Sequence, residues 1–216
     1  MTSDFHGEAR AFRECASKAE EVRAEVLVAC GDLTHFDTVQ RVKDLLAPLL
    51  ELRLPLFFVP GNCDPPALTG VNIGGAHCIH STFEVYENAV FMGAGGGLLS
   101  PFHTPFEMTE EEIMEVLDRG FEHAPNKRWL ILVSHHPPSN TRVDVTSGGK
   151  HIGSLSVRRF IEEKKPAVVF CGHVHEARGV DRLDETLLMN PGPARHGYCA
   201  LVDFNENIEV KPDRLW

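Results

Sequence analysis

Five short motifs along the chain carry side chains that bind divalent metal ions, and the last four each follow an apolar run. They are Asp4-Phe5-His6, Gly31-Asp32, Gly61-Asn62-Cys63-Asp64, Ser134-His135 and Gly172-His173-Val174-His175. Carboxylate, amide oxygen and imidazole groups are hard or borderline donors for such ions. Because an α/β sheet gathers the carboxyl ends of its strands at one edge, the motifs predict a two-metal active site there.

Size and composition limit the class of protein. A chain of 216 residues that is 43% hydrophobic and 24% charged is typical of a globular protein, and we expect one domain over residues 1–216. The formal net charge of -10 argues against broad binding to nucleic acid or to anionic membrane, since both require a basic surface. A small anionic substrate remains admissible, because bound dications dominate the local charge of a site.

Cysteine usage and the N-terminus bear on the compartment. The six cysteines form no CxxC pair and no compact framework, which fits a reducing environment. No basic leader precedes an apolar stretch, and no apolar run approaches the length of a membrane span. We therefore expect a cytoplasmic protein that binds no membrane, and a homo-oligomer is left open.

The first half of the chain alternates between helical and strand patterns. Apolar residues recur at helical spacing over residues 8–22 and 37–50, and continuous apolar runs occupy residues 26–29 and 54–59. Such alternation implies parallel strands joined by crossover helices. The motifs containing Asp32 and Asn62 then lie on loops after buried strands.

The second half adds a hairpin, two helices and more strands. Residues 81–86 and 89–94 predict the hairpin, and Thr109 with Glu112 predicts a capping box that opens a helix through Arg119. Residues 129–133 and 167–171 read as strands and residues 154–165 as a helix, with four apolar side chains inward: Leu155, Val157, Phe160 and Ile161.

Three short β runs at residues 186–189, 198–204 and 208–210, separated by turns at 190–193 and 205–207, predict a closing antiparallel layer. The whole pattern predicts an α/β fold, a four-layer α-β-β-α sandwich of two mixed sheets flanked by helices.

Each candidate ligand also has a structural interpretation. Asp4 and Asp32 stand where helix N-caps occur, and His173 with His175 could form the polar end of a strand. Alternate residues of an extended strand point to one side, however, so that the two histidines can face one cluster. The joint occurrence of all five motifs favours the metal site.

The ordered set resembles the calcineurin-like metallophosphoesterase superfamily over essentially the whole chain and, more narrowly, its archaeal-type predicted phosphoesterases. The narrower resemblance is carried by Gly31-Asp32-Leu33-Thr34-His35-Phe36, Gly61-Asn62-Cys63-Asp64, Thr104-Pro105-Phe106-Glu107, His135-His136-Pro137-Pro138, His173-Val174-His175-Glu176 and Asn190-Pro191-Gly192-Pro193.

This resemblance implies two sets of metal ligands. One set is Asp4, His6, Asp32 and His175, and the other is Asp32, Asn62, His135 and His173. Asp32 would bridge the ions, because a shared anion offsets the repulsion of two dications roughly 4 Å apart. Manganese is the metal we favour, with Fe, Zn, Ni or Co as alternatives, since a mixed carboxylate and imidazole set does not select one ion.

The roles of three further residues, His136, His35 and Cys63, differ from those of the predicted ligands. The resemblance assigns the ligand to His135, which leaves His136 either to contact substrate or to face solvent. His35 is expected to orient a ligand rather than to bind metal.

Many relatives carry His at position 63 to protonate the leaving group or to steady the transition state. Cys63 is a poorer acid, and a packing role is its structural alternative, although a bacterial phosphodiesterase branch shares Gly-Asn-Cys-Asp.

Two further features remain open. Only Met1-Thr2-Ser3 precede Asp4, so that either a very short strand suffices there or the natural start lies upstream. Arg142, Lys150 and Arg195 could contact phosphate, with surface charge the favoured interpretation and Arg195 the strongest candidate. The other histidines show no ligand spacing and are excluded from the site: His77, His80, His103, His123, His151 and His196.

The predicted function is a binuclear metal-dependent phosphoesterase in which a metal-bound hydroxide attacks a small phosphodiester or phosphomonoester, with the diester favoured. The candidate catalytic residues are Asn62, Cys63, His135 and His173. The main alternative is a catalytically weak metal-binding scaffold for a partner protein, in keeping with Cys63. A nuclease ranks third, because no basic surface is visible.

Overall fold

The computed structural model describes residues 1–71, 73–204 and 206–216. The helices of these residues are α1 Ala9–Glu21, α2 Val39–Glu51, α3 Glu110–Glu122 and α4 Leu155–Lys164. The strands are β1 Leu27–Ala29, β2 Leu56–Phe58, β3 Ala76–Cys78, β4 Phe83–Tyr86, β5 Ala89–Ala94, β6 Gly97–Leu98, β7 Glu107–Met108, β8 Trp129–Ser134, β9 Val168–Phe170, β10 Gly179–Leu183, β11 Thr186–Asn190, β12 Tyr198–Phe204 and β13 Ile208–Arg214.

Two main sheets organise the strands. The larger has the order β10-β11-β9-β8-β5-β4, in which β5, β8, β9 and β11 are parallel and the edge strands β4 and β10 are antiparallel to their neighbours. The smaller has the order β1-β2-β3, with all strands parallel. Strands β12 and β13 form an antiparallel hairpin.

The first two residues join the smaller sheet to this hairpin. The Thr2 amide donates to Val28 O over 2.9 Å, and the Cys30 amide donates to Thr2 O over 2.9 Å. On the other side, the Ala200 amide donates to Met1 O over 2.9 Å. Thr2 thus forms a parallel bridge to Ala29, and Met1 links this edge of the smaller sheet to β12.

Three apolar clusters separate four layers. The first packs α1 and α2 on the smaller sheet and includes Phe12, Leu46 and Phe58. The second lies between the sheets and includes Phe57 and Phe170. Phe57 and Phe58 belong to different clusters because successive side chains of a strand point to opposite faces.

The third cluster packs α3 and α4 on the outer face of the larger sheet, with Leu117, Phe160 and Val169 among its members. The prediction of a four-layer α-β-β-α sandwich is thus confirmed.

The predicted elements are mostly found, with small shifts of their ends. The capping box of Thr109 and Glu112 is present, although α3 continues beyond Arg119 to Glu122. The inward orientation predicted for Leu155 is wrong, because its side chain is 63% exposed. At 3.6 residues per turn, Leu155 lies about 200° around the helix from Val157, which faces the core.

One strand was missed, and one predicted turn cannot be compared with the structure. The edge strand β10 was not predicted, because its side chains alternate between half-buried and exposed positions and include few apolar residues. The turn predicted at 205–207 includes Asn205, which lies outside the described residues. No helix of the described part of the chain is long and apolar enough to cross a membrane.

Candidate metal centre

The predicted metal ligands meet at one edge of the sandwich. Asp32 follows β1, Asn62 follows β2, His135 follows β8 and His173 follows β9. The Asp4 amide donates to Gly31 O over 3.0 Å, and this bond places the N-terminal motif beside the loop after β1. The strand ends therefore gather the motifs as the parallel arrangement predicts.

Several of these residues adopt an uncommon backbone conformation. Asp4, His6, Asp32 and His173 have φ values of 57°, 46°, 49° and 67°, in the left-handed region. Non-glycine residues occupy this region rarely, and they do so often at functional sites. The helix N-caps are Glu8 for α1 and Thr38 for α2, so the alternative of capping roles for Asp4 and Asp32 is wrong.

The first group of donor atoms surrounds His175. Its Nε2 lies 3.3 Å from Asp4 Oδ1 and 3.1 Å from His6 Nε2. His6 Nε2 is in turn 3.5 Å from Asp32 Oδ2. Ligand atoms that each lie about 2.1 Å from one ion are about 3 Å apart when they meet it at right angles. The spacing of this group fits a single ion.

The second group surrounds Asn62. Its Oδ1 lies 3.0 Å from His135 Nε2 and 2.9 Å from His173 Nδ1. His135 Nε2 is 3.6 Å from Asp32 Oδ1. The two oxygens of Asp32 therefore face different groups, an arrangement that would suit a bridging carboxylate.

The protonation of His135 makes the second group attractive to a cation. Its Nδ1 donates to Cys30 O over 2.7 Å, and because a carbonyl oxygen only accepts, Nδ1 carries a proton. In the neutral ring, Nε2 then presents a lone pair to the oxygens of Asn62 and Asp32. In this form Nε2 and the two oxygens converge as acceptors, which suits a metal ion, and a carbonyl partner on the other ring nitrogen is usual for a metal-binding histidine. The residues present thus fit the predicted group.

The pKa values of the two buried carboxylates, Asp32 and Asp4, are shifted in opposite directions. Burial raises the pKa of Asp32 to about 7, and Asp4 adds to this rise, although His135 opposes it. Burial also acts to raise the pKa of Asp4, but the hydrogen bond from His175 and the charge of His135 outweigh burial and hold that pKa below its usual range. A cation between the carboxylates would offset their repulsion.

Burial keeps the imidazoles of His6 and His173 neutral. It lowers the pKa of His6 to about 3 and that of His173 well below the usual value. Burial acts in the same direction on His135, but Asp32 and Asp4 reverse it and raise the pKa. Neutral rings can offer lone pairs to a metal at pH 7.

Asp64 ties the loops together, a role that the sequence interpretation did not assign. Its Oδ2 accepts hydrogen bonds from Gly61 N over 2.8 Å and from Leu33 N over 3.0 Å. Its Oδ1 accepts from Thr34 N over 2.7 Å and from Thr34 Oγ1 over 2.9 Å. The loop after β1 and the loop after β2 are thereby fixed relative to each other.

Cys63 lies against the centre. Its amide donates to Asp32 Oδ1 over 2.8 Å, and its Sγ accepts from Asn62 Nδ2 over 3.5 Å. Burial raises the pKa of the thiol, and the charge of Asp32 raises it further. The side chain is therefore a protonated thiol at neutral pH.

Two predictions about histidines are wrong in their geometry. His173 and His175 do not alternate along a strand, because β9 ends at Phe170 and a 3₁₀ turn spans His175–Ala177. The left-handed backbone of His173 and this turn bring the two rings to the site. The alternative that His136 faces solvent is wrong as well, since the ring is buried and Nε2 donates to Ile152 O over 2.9 Å, whereas its contact with substrate stays a prediction.

Arg195 lies at the mouth of the centre. Its Nη2 is 3.3 Å from His175 Nδ1, and its amide donates to Asp4 O over 3.3 Å. A pocket of about 370 Å³ is lined by His6, Gly7, Glu8, Arg195 and His196. His196 is exposed and borders this pocket, and its exclusion from the site stays a prediction. Nothing in its spacing to the other motifs reveals this position, which depends on the turn after Pro193.

The remaining candidates lie elsewhere. Arg142 and Lys150 are exposed, in keeping with surface charge. His77 contacts Glu84, His151 contacts Asp144, and His80 accepts from Gly95 N, so these rings make local hydrogen bonds. His35 Nδ1 is 3.3 Å from His6 Nδ1, and the orienting role predicted for it remains a prediction.

Known proteins resemble the chain at several levels. Residues 1–177 match the sequence model of the family described as calcineurin-like phosphoesterase. An uncharacterized protein of Methanocaldococcus jannaschii is 37% identical over 194 residues, which make up 88% of this chain and 86% of that protein. The 3',5'-cyclic adenosine monophosphate phosphodiesterase CpdA of Escherichia coli is 26% identical over 179 residues, 77% of this chain and 60% of that enzyme.

A solved structure shares the fold. The crystal structure of TT1561 of Thermus thermophilus superposes with a TM-score of 0.74 at 19% sequence identity, and the match covers 100% of this chain and 97% of that one.

Proposed function

Because this chain belongs to the calcineurin-like phosphoesterase family, we propose that it hydrolyses a small phosphodiester with the help of two divalent metal ions. The resemblance inferred from the motifs is confirmed by this membership. A phosphomonoester is the second substrate class, and manganese is the metal that we favour. The relative from Escherichia coli, named as a cyclic nucleotide phosphodiesterase, supports the choice of a diester.

The observation that carries the proposal is the position of Asp32 between two groups of donors. Its Oδ2 is 3.5 Å from His6 Nε2 and its Oδ1 is 3.6 Å from His135 Nε2. A carboxylate shared in this way would hold two ions close together, and such a pair stabilises the attacking and leaving oxygens of an in-line displacement at phosphorus. We assign Asp4, His6 and His175 to one ion and Asn62, His135 and His173 to the other.

When bound, the metal ions supply Lewis acidity, activate a water molecule and offset the charge that develops on the phosphate. The protein residues hold this arrangement rigid. The Cys30 carbonyl fixes the ring of His135 through Nδ1, and the amide of His173 donates to both oxygens of Asp4 over 3.2 Å. Preorganised donors stabilise a charged transition state without reorganisation during the reaction.

The site has no efficient acid at position 63 to protonate the leaving group. The raised pKa of Cys63 makes its thiol a poor acid near neutrality, so that esters with good leaving groups should react best. This feature favours one alternative function, a catalytically weak metal-binding scaffold for a partner protein.

A phosphatase assay distinguishes these functions. Purified protein with Mn²⁺ should hydrolyse a generic aryl phosphodiester faster than the matching monoester, and Asn62→Ala should reduce the rate by about 10²-fold or more, because a metal ligand is lost. Metal binding is measured in parallel by calorimetry. Two bound ions without turnover on either ester would support the scaffold, whereas failure to bind two ions would contradict both functions.

A further inference from the structure

A second cluster of metal-binding side chains lies beside the predicted centre, and the proposed function gives it no joint role. His6, His35 and Cys63 each offer a donor atom, and these atoms lie within 4.8 Å of one another. We propose that the three side chains form a third metal site, which takes Zn²⁺ or a similar borderline ion and does not take Mn²⁺.

The donor types select the ion. The cluster contains two imidazoles and one thiol and no carboxylate, whereas both groups of the main centre include Asp32. Imidazole and thiolate ligands suit zinc, while manganese prefers oxygen ligands. On binding, the Cys63 thiol gives its proton to solvent and ligates the ion as a thiolate.

The distances require only small movements. Nitrogen and sulfur ligands 2.0–2.3 Å from a tetrahedral zinc ion lie roughly 3.3–3.8 Å apart. His35 Nδ1 and His6 Nδ1 are already 3.3 Å apart, and since one donor atom from each of the three residues lies within 4.8 Å of the others, shifts of about 1–1.5 Å bring them to these distances. Since His35 is exposed, an ion can enter from solvent, and a fourth ligand position is left for water.

His6 belongs to both sites and cannot serve them together. Its Nε2 faces His175 at 3.1 Å, and its Nδ1 faces His35. A neutral imidazole has one lone pair and one N–H. Coordination through Nδ1 therefore leaves a proton on Nε2 and removes this ring from the main centre. The third site is thus antagonistic to the first metal, a consequence for activity that rests on the proposed function.

Cobalt serves as the spectroscopic probe of the third site. Metal-free protein is titrated with Co²⁺, and a thiolate-to-cobalt charge-transfer band in the near ultraviolet is expected. The band should vanish in Cys63→Ser and persist in Cys78→Ser, a control at a half-buried thiol outside the cluster. His35→Ala should weaken Co²⁺ binding at least ~10-fold, since even the outer partners of metal ligands are worth that much. Zn²⁺ should displace the band, and Mn²⁺ should not.

Inhibition of the hydrolytic activity by Zn²⁺ is a separate test of the third site. Zn²⁺ in excess should inhibit the Mn²⁺-supported hydrolysis, and the inhibitory concentration, normalised to each variant's own rate, should rise at least ~10-fold in His35→Ala. A charge-transfer band in a protein that hydrolyses no ester would uphold the third site and refute the proposed function. Hydrolysis without the band, or a band that survives in Cys63→Ser, would overturn the third site.

Discussion

Cys63 holds the buried carboxylate of Asp32 through its backbone amide, which donates to Oδ1 over 2.8 Å. The side chain at position 63 can therefore change without loss of this bond. The backbone of this residue therefore holds Asp32 whatever the side chain, whereas the side chain contacts Asn62, whose Nδ2 donates to Sγ over 3.5 Å.

Replacing Cys63 with histidine should speed the hydrolysis of esters with poor leaving groups. An imidazole titrates near neutral pH, whereas burial raises the pKa of the thiol, so the variant gains a competent acid. We expect kcat for an alkyl diester to rise by about 10²-fold or more and kcat for an aryl diester to change less. Cys63→Ser is the control for loss of the thiol. Equal effects on both esters would argue against an acid role at this position.

An added methyl group at Gly61 should disturb the metal centre. A Cβ there would collide with the carboxylate and the backbone nitrogen of Asp32, which has no room to withdraw because it is buried. We expect Gly61→Ala to bind metal about 10–100-fold more weakly by calorimetry. Gly70→Ala is the matched control, since no atom lies within 4 Å of an added Cβ there. Identical affinities in the two variants would contradict the packing argument.

Arg195 should bind the phosphate of substrate or product. Its Nε is buried and has no hydrogen-bond partner among the described residues, and its guanidinium lines the pocket beside His6. Loss of a charge-assisted hydrogen bond of about 1.5–3 kcal/mol corresponds to about 10–100-fold in affinity. Inorganic phosphate should therefore inhibit Arg195→Ala that much more weakly, while the exposed Arg142→Ala behaves as wild type. Unchanged inhibition of Arg195→Ala would show that the guanidinium only holds His175.

Stability in acid should depend on Asp144. Burial acts to raise the pKa of Asp144, but hydrogen bonds from His151, Thr141 and Gly153 outweigh it and hold the pKa below the ordinary value. A carboxylate with a lowered pKa in the folded state adds stability above its unfolded pKa, near 4, and this stability is lost as pH falls through the folded value.

The Tm of metal-free wild type should accordingly fall more steeply than that of Asp144→Asn as the pH drops from about 5 to about 3. Asp118→Asn, a change at an exposed position of α3, should follow the wild-type curve. Parallel curves for wild type and Asp144→Asn would show that Asp144 does not contribute to the loss of stability in acid.

The four layers and the clustering of the predicted ligands could be predicted from the sequence. The backbone conformations that bring each ligand to the cluster could not. The ends of β1 and β2 could be located from apolar runs, because buried parallel strands have few polar residues. The approach of His175 could not, since it depends on a left-handed His173 and a 3₁₀ turn that no periodicity signals. Likewise, the burial of His136 follows from its bond to Ile152, a contact between distant residues that sequence spacing does not reveal.

The position of the N-terminal residues has a consequence for biogenesis. Thr2 pairs with β1, which is made early, but Met1 pairs with Ala200, and the carbonyls of Ser3 and Asp4 accept from Ala194 and Arg195. Contacts of such sequence separation form slowly, because closing a long loop costs entropy. During synthesis, the contacts of the segment that carries Asp4 and His6 with residues 194–200 can therefore form only after nearly the whole polypeptide has emerged, so the proposed metal centre is completed late.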